Sequence, residues 1–531
     1  MTPVECPVAQ SVSARLLRAR GRSVGMLAGF ALGIVSVADQ MAAAQYHELT
    51  LGGQQEYLRP HDVHRGLVHE PRGMQRDAWG AASSRFSSGA PVSIVVIGGS
   101  LAAGNECSTS CAPLAWAADS RLGSECAYGG RFAAWLARVY PHANVRYVNR
   151  ALGGMTTAGI LPTLREVVAP DGAVPEFLFV DFSVNDANEA QDWSSLLSRG
   201  RGVSEHKILE ATEVLLRFML RLYPQTATLL FNSWCGAGPH LVPYVNASRH
   251  YGVPFVSFHH VVESAGCHCG DVWFAFRVAM RKANHSAFRM RCLQYVHECR
   301  APLVADERRD IPCPITVPRE NITVTKHHPW IHPSWYTHQL IADVLGTAWQ
   351  RLVEDAFSSR RVAEAPSGLP KALVPQPQYA VCEEPLSLFD ARRPPTHGVT
   401  MQNGWSLYED RRGKPGWIGT GVTGSTLEFV VHFGASPRLV ISYLRGYDLF
   451  GSVFLSVVGP HGKYRRSIDG HRSDGSNVTQ SEVAVFNMKV YFFKGTGFLV
   501  QGNATETIRL TLRCVGGAQP CKFKVLSVSA C

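Results

Sequence analysis

The sequence predicts a three-layer α/β/α domain with a parallel sheet, followed by an all-β sandwich. Three observations lead there. At 531 residues the chain is too long for one ordinary core. From residue 92 to about residue 357, short apolar runs alternate with segments of helical spacing. From about residue 426 the periodicity becomes two, with Gly, Asp, Asn and Pro between the runs.

Residues 1–44 open with Arg15, Arg18, Arg20 and Arg22 ahead of an apolar stretch at 24–37, and Ala42, Ala43 and Ala44 supply small residues for cleavage. The stretch has the length of a secretory signal core and is shorter than the roughly 20 residues of a membrane span. An uncleaved signal-anchor is the alternative, and only then is a membrane a partner. Residues 45–90 read as a polar, irregular lead-in that closes with a short helix at 75–85.

Residues 91–358 form the expected α/β domain. Runs 92–97, 145–149, 177–182, 226–231 and 254–258 read as about five strands; 131–140, 205–223 and 334–357 read as helices. Short strands that are apolar throughout belong to a parallel sheet covered on both faces. Residues 262–325 break the rhythm with Cys267, Cys269, Cys292, Cys299 and Cys313, and read as a disulfide-stapled insertion. Residues 359–378, rich in Pro and Ala, read as a linker.

Residues 379–531 form the expected sandwich, with strand-like runs at 426–432, 438–444, 452–458, 482–486, 497–501, 507–513 and 522–528. Cys514 and Cys521 bracket a turn that a disulfide could close. Trp405, Tyr408 and Trp417 read either as core packing or as a platform for stacking sugars.

Composition narrows the function classes. Hydrophobic residues make up 46% and charged residues 18%, which is globular rather than disordered. The net charge of +10 is modest for this length, and no basic run interleaved with aromatics appears, so no nucleic-acid partner is expected. Thirteen of the fourteen cysteines lie beyond residue 44, and sequons occur at Asn246, Asn284, Asn321, Asn477 and Asn503. Both features suit a secreted or lumenal protein with disulfides. His259, His260, Cys267, His268 and Cys269 would offer zinc ligands, yet a Cys-His-Cys spacing cannot chelate one ion as a Cys pair two to four residues apart does. Disulfides are expected there, and no metal or cofactor.

Four segments carry residues suited to chemistry. The first strand runs into Gly98-Gly99-Ser100, and a serine just past the carboxyl end of a buried parallel strand stands where open α/β sheets bind ligands. The second strand is followed by Gly153-Gly154, where a glycine can present a bare N–H. The third is followed by Asn185-Asp186; a carboxamide donates without a titrating charge. Far downstream, His332-Pro333 precedes the last helix of the domain, and a histidine at the same sheet edge as an exposed serine is a candidate base.

In order and spacing these four segments resemble the blocks of the SGNH hydrolase superfamily, the GDSL-like esterases, across residues 90–357. The resemblance implies a flavodoxin-like α/β/α domain and acyl transfer, with Ser100 as nucleophile and His332 as base. It also implies an oxyanion hole made of the Ser100 N–H, the Gly154 N–H and the Asn185 carboxamide. Two positions depart from the family pattern. Gly99 replaces the usual Asp of the first block, and Pro329 stands where an Asp normally orients the imidazole, which leaves a Ser–His dyad or a carboxylate from elsewhere. The expected substrate is a small-molecule or glycan ester, with acetate as an example of the acyl group. An acyltransferase acting on sugar hydroxyls and a catalytically silent glycan-binding protein are the alternatives.

Overall fold

The computed structural model describes residues 65–104, 127–190, 201–238, 240–264, 269, 335–358, 368–375, 385–395, 397–410, 414–421, 423–447, 449–459, 462–472, 479–488, 500, 502–514 and 521–531. The basic N-terminus, most of the Cys-rich insertion, and the run at 497–501 apart from Val500 lie outside them.

The first sheet has six strands: β1 (Leu67–His69), β2 (Val92–Gly98), β3 (Val145–Asn149), β4 (Phe177–Asp181), β5 (Ala227–Asn232) and β6 (Phe255–Ser257). Their order is β1-β6-β5-β4-β2-β3, parallel from β6 to β3, with β1 antiparallel at the edge. The sequence reading of about five strands omitted β1 and left it in an irregular lead-in. Three residues are too few to show a period, and β1 exists because β6 offers it an edge.

Helices cover both faces. On one face lie α1 (Met74–Ser87), α2 (Tyr128–Val139) and, from the far end of the domain, α9 (Trp335–Ser358). Trp79, Phe86, Phe177 and Trp349 pack there with ring centroids 4.6–5.5 Å apart. The Gln75 carboxamide ties α1 to the sheet, donating to Thr226 O (3.1 Å) and accepting from Thr228 N–H (2.8 Å). The other face carries α3 (Thr157–Ile160), α4 (Leu164–Val168), α5 (Ser183–Ala190), α6 (Arg201–Leu222) and α7 (Leu241–Tyr251). A core of Leu178, Val180, Leu215, Leu216, Met219 and Tyr244 fills the space beneath them. A short α8 (Phe258–Ser264) follows β6.

Two antiparallel sheets form the sandwich. One has the order β15-β12-β17-β10-β9, with β7 also paired to β17; the other has the order β14-β13-β16-β11-β8. The strands are β7 (Ser387–Asp390), β8 (Val399–Gln402), β9 (Trp405–Glu409), β10 (Pro415–Gly419), β11 (Thr426–His432), β12 (Arg438–Arg445), β13 (Ser452–Gly459), β14 (Gly462–Asp469), β15 (Gln480–Asn487), β16 (Thr505–Arg513) and β17 (Phe523–Ala530). Alternation drives the packing: Ile508, Leu510 and Leu512 of β16 point inward against Val453, Leu455 and Val457 of β13. Trp405 and Trp417 belong to this core and only Tyr408 of the aromatic trio is exposed, so the packing reading holds and the platform reading does not.

Two disulfides fall among the described residues, Cys235–Cys269 and Cys514–Cys521. The first takes up Cys269 of the His/Cys cluster where disulfides were expected, and the second closes the expected sandwich turn. Residues 368–375, inside the expected linker, lie fixed on the α/β layers. Glu213 accepts the N–H groups of Leu373 (2.5 Å) and Val374 (2.7 Å), while Arg217 donates to Pro370 O (2.7 Å).

Candidate active site

The order β3-β2-β4-β5-β6 reverses direction once, between β2 and β4. An open parallel sheet has its ligand crevice at the carboxyl edge of such a switch point. The loops after β2, β3 and β4 meet there.

After β2 the chain turns at once. Gly99 N–H donates to Asp181 O (2.9 Å), and Ala103 N–H donates back to Gly99 O (3.0 Å), so a single helical turn begins at Ser100. The first N–H groups of such a turn, that of Ser100 included, have no partner within it. Ser100 is 5% exposed. Position 99 needs a glycine for lack of space: a Cβ there would lie 2.3 Å from Asn185 Nδ2 and 3.2 Å from Met155 O. The first-block Asp of the resembled family would collide with that carboxamide.

After β3 the loop is held on several sides. Asn149 Nδ2 donates to Ala102 O (2.9 Å), which ties this loop to the turn that follows Ser100. Leu152 N–H donates to Gly98 O (2.9 Å) and Met155 N–H to Leu152 O (3.1 Å). Gly154 adopts φ of +80°, the left-handed region where a side chain is strained, and a Cβ there would stand 2.9 Å from Thr479 O. Thr156 then caps α3, its Oγ1 accepting from Gly159 N–H (3.0 Å).

After β4, Asn185 lies in the first turn of α5 and is 3% exposed. Read locally, its carboxamide would cap that helix; instead Nδ2 donates to Met155 O (2.7 Å). One of its two amide hydrogens is thereby committed, which orients the group and leaves the other for a ligand. Ser100, Gly154 and Asn185 are thus gathered through their neighbours: Gly99 packs on Asn185, and Asn185 holds the carbonyl next to Gly154.

Two buried carboxylates brace these loops. Asp181 accepts from Tyr128 Oη (2.5 Å), Ser233 Oγ (2.5 Å) and Ser183 Oγ (2.7 Å). Burial raises its pKa, and the three hydroxyl donors oppose that rise. Asp186 accepts from Thr157 N–H (3.0 Å), Thr157 Oγ1 (2.5 Å) and Tyr244 Oη (2.6 Å), which joins α5 to α3. Burial pushes its pKa up to about 6 against the pull of these bonds. Nothing in the local sequence marked either residue for this work.

His332 and Pro329 lie outside the described residues. The helix that follows them begins at Trp335. Its His338 is fully buried, accepts Tyr128 N–H at Nδ1 (3.2 Å), and stacks on the Tyr128 ring with centroids 6.1 Å apart. Tyr128 in turn reaches Asp181, so the start of α9 is tied to the same sheet edge as Ser100.

The sandwich also reaches this edge. Ser481 of β15 donates its N–H to Gly154 O (2.6 Å), and its Oγ accepts Thr156 N–H (3.0 Å). Ser442 of β12 donates to Gly159 O (3.2 Å). No signal in the sequence pointed to these contacts. Among the described residues no cluster of His, Cys, Asp and Glu could hold a metal ion.

The chain shares its fold with a two-domain esterase active on acetylated mannans, at 16% identity and a TM-score of 0.52, with 88% of this chain and 98% of that one aligned. The same esterase co-crystallized with mannopentaose gives 17% identity and a TM-score of 0.50, with the same shares aligned. An alpha/beta hydrolase enzyme from a lake metagenome aligns over 49% of this chain and 96% of its own, at 16% identity and a TM-score of 0.26. No family model and no curated protein matches the chain.

Proposed function

We propose that the chain is an extracytoplasmic serine esterase of the SGNH/GDSL type that removes acyl groups such as acetate from carbohydrate hydroxyls. One observation carries the reading. The Asn185 carboxamide sits between Gly99 and Met155 O at the switch point, which brings the loops bearing Ser100, Gly154 and Asn185 to one place. A buried, oriented and uncharged donor beside a strand-end serine suits the stabilisation of an oxyanion.

In this reading His332 takes the proton from Ser100 Oγ, and the oxygen attacks the ester carbonyl. The negative charge that develops on the carbonyl oxygen is held by the N–H groups of Ser100 and Gly154 and by Asn185 Nδ2. Collapse expels the sugar oxygen, which leaves as a hydroxyl with the proton from His332. Water, deprotonated by His332, then attacks the acyl-enzyme, and the free acid leaves as Ser100 regains its proton. In sequence His332 stands three residues before Trp335, where α9 begins. With Pro329 at the usual Asp position, the imidazole is assigned no carboxylate partner.

The carbohydrate part of the proposal draws on the compartment and on the shared fold. Cys235–Cys269 and Cys514–Cys521 suit an oxidising environment, and two sequon residues, Asn246 and Asn503, are exposed. The esterase whose fold this chain shares acts on acetylated mannans.

The test uses the full chain with p-nitrophenyl acetate and a fluorophosphonate probe. Wild type should release p-nitrophenol and take the label at Ser100, and Ser100→Ala should lose both while keeping its thermal midpoint. An alanine variant as active as wild type removes the proposal. Acetyl recovered on an added sugar rather than as acetate would turn the same site into an acyltransferase.

A further inference from the structure

Ser481 lies 326 residues from Met155, in a different sheet system, yet it bonds the oxyanion loop more than once. The bonds fall on two consecutive peptide groups. In the first, Gly154 C=O accepts Ser481 N–H (2.6 Å), and the N–H of the same group, on Met155, donates to Leu152 O (3.1 Å). In the second, Met155 C=O accepts Asn185 Nδ2 (2.7 Å), and the N–H of the same group, on Thr156, donates to Ser481 Oγ (3.0 Å). Each peptide group is thus held at one end by the α/β layers and at the other by Ser481. A peptide group is planar, so fixing both ends fixes its orientation.

These two groups are the ones next to the proposed oxyanion donors. The first follows Gly154, whose N–H direction depends on the torsions of that residue. The second carries the carbonyl that orients Asn185. Ser481 is itself tightly placed. Its Oγ lies 3.3 Å from Met155 Sδ, and its carbonyl accepts Thr156 Oγ1 (3.1 Å). Beside this clamp lies a crevice lined by Gly154, Met155, Arg392, Ser442, Ser481 and Ser527.

We infer that Ser481 is a positioning residue of the esterase centre, so that strand β15 of the sandwich sets the geometry of two of the three oxyanion donors. The inference rests on the proposed roles of Gly154 and Asn185. Its consequence is specific. Loss of the Ser481 hydroxyl weakens stabilisation of the transition state and leaves substrate binding nearly untouched.

Ser481→Ala removes the hydroxyl and adds no bulk. With p-nitrophenyl acetate the expected result is a fall in kcat of about tenfold, since misplacing a donor forfeits part of the factor of about a hundred to a thousand that losing it costs. KM should stay within about twofold, and phosphonylation of Ser100 should slow in parallel with kcat. Thr156→Val, which cuts the Thr156 Oγ1 bond to the Ser481 carbonyl and with it the cap on α3, should lower kcat at least as far, and Thr156→Ser, which keeps the hydroxyl, should restore wild-type kcat. Thermal midpoints report whether a variant is simply less folded; a purely structural role would lower them and leave kcat per folded molecule unchanged. Wild-type kcat in both Ser481→Ala and Thr156→Val, with Ser100→Ala inactive, overturns this inference and spares the esterase reading. Activity in Ser100→Ala overturns both.

Discussion

The turn after β2 and the loop after β3 lie side by side and are held differently. Gly99 is fixed from within its own layers: Asp181 takes its N–H, and the Asn185 carboxamide fills the space beside it. Gly154 is fixed partly from outside, by the Ser481 N–H and Oγ of the sandwich. The position of Ser100, the proposed nucleophile, therefore follows from one domain, and the proposed oxyanion hole follows from two. A change in the sandwich can disturb transition-state stabilisation without moving the serine.

Four variants sharpen or break this contrast. Asn185→Ala strikes where the two loops meet, because it removes a proposed donor and frees Met155 O. It should lower kcat by about a hundred- to a thousandfold, roughly 3–4 kcal/mol in transition-state stabilisation. A loss below tenfold would remove Asn185 from the hole.

Asp186→Asn tests the bracing of the proposed oxyanion loop from the α/β side. The folded pKa of about 6 lies above the ordinary 3.8, so the native state holds the proton more tightly than the unfolded chain. Asp186 therefore contributes most below about pH 4, and that contribution is lost as pH rises through about 6. The loss comes to about 3 kcal/mol in all, at about 1.4 kcal/mol for each pH step between the two values. Asn185 and Thr157 stay in place in the Asn variant, which does not titrate. Its stability relative to wild type, read from denaturant midpoints, should rise across that interval; a constant difference would contradict the assignment.

Gly99→Asp would restore the residue usual in the resembled family. With Asn185 Nδ2 at 2.3 Å from the new Cβ, it should instead cost about 2–3 kcal/mol and lower activity. Gain of activity would show that Asn185 can give way. The smallest effect on chemistry is expected far from both loops: replacing Cys514 and Cys521 by Ser should cost about 2 kcal/mol through the unfolded chain and leave kcat unchanged. A drop in kcat there would mean the site feels the sandwich through more than β15.

Much of the fold could be read because each element announces itself locally. The parallel strands are mostly apolar and end in Gly, Asn, Ser or Asp-Phe-Ser, so both the sheet and the residues at its carboxyl edge were legible. Strand β1 was not, since three residues show no period, and neither was β10, whose Pro415-Gly416 start argues against a strand. At the candidate site, Ser100 and Asn185 were singled out from position and residue type, and Gly154 was chosen over Gly153 by the family resemblance. Ser481 was missed because the apolar alternation begins only at residue 482, which left Gln480-Ser481 outside the expected strand. Its meaning comes from a contact across 325 residues, and no local pattern carries such information. Asp186 stood out only as the neighbour of Asn185; its partner Thr157 stands 29 residues away on another helix.

The strap at 368–375 has a consequence for how the two halves find each other. Val374 N–H is bound to Glu213, and β7 begins at Ser387, so only about a dozen residues of chain separate the anchored strap from the sandwich. A tether that short keeps β15 at an effective concentration on the order of millimolar near the loop it clamps. The two halves supplied as separate polypeptides at micromolar levels would lack that advantage, and mixing them should not rebuild the proposed activity in full.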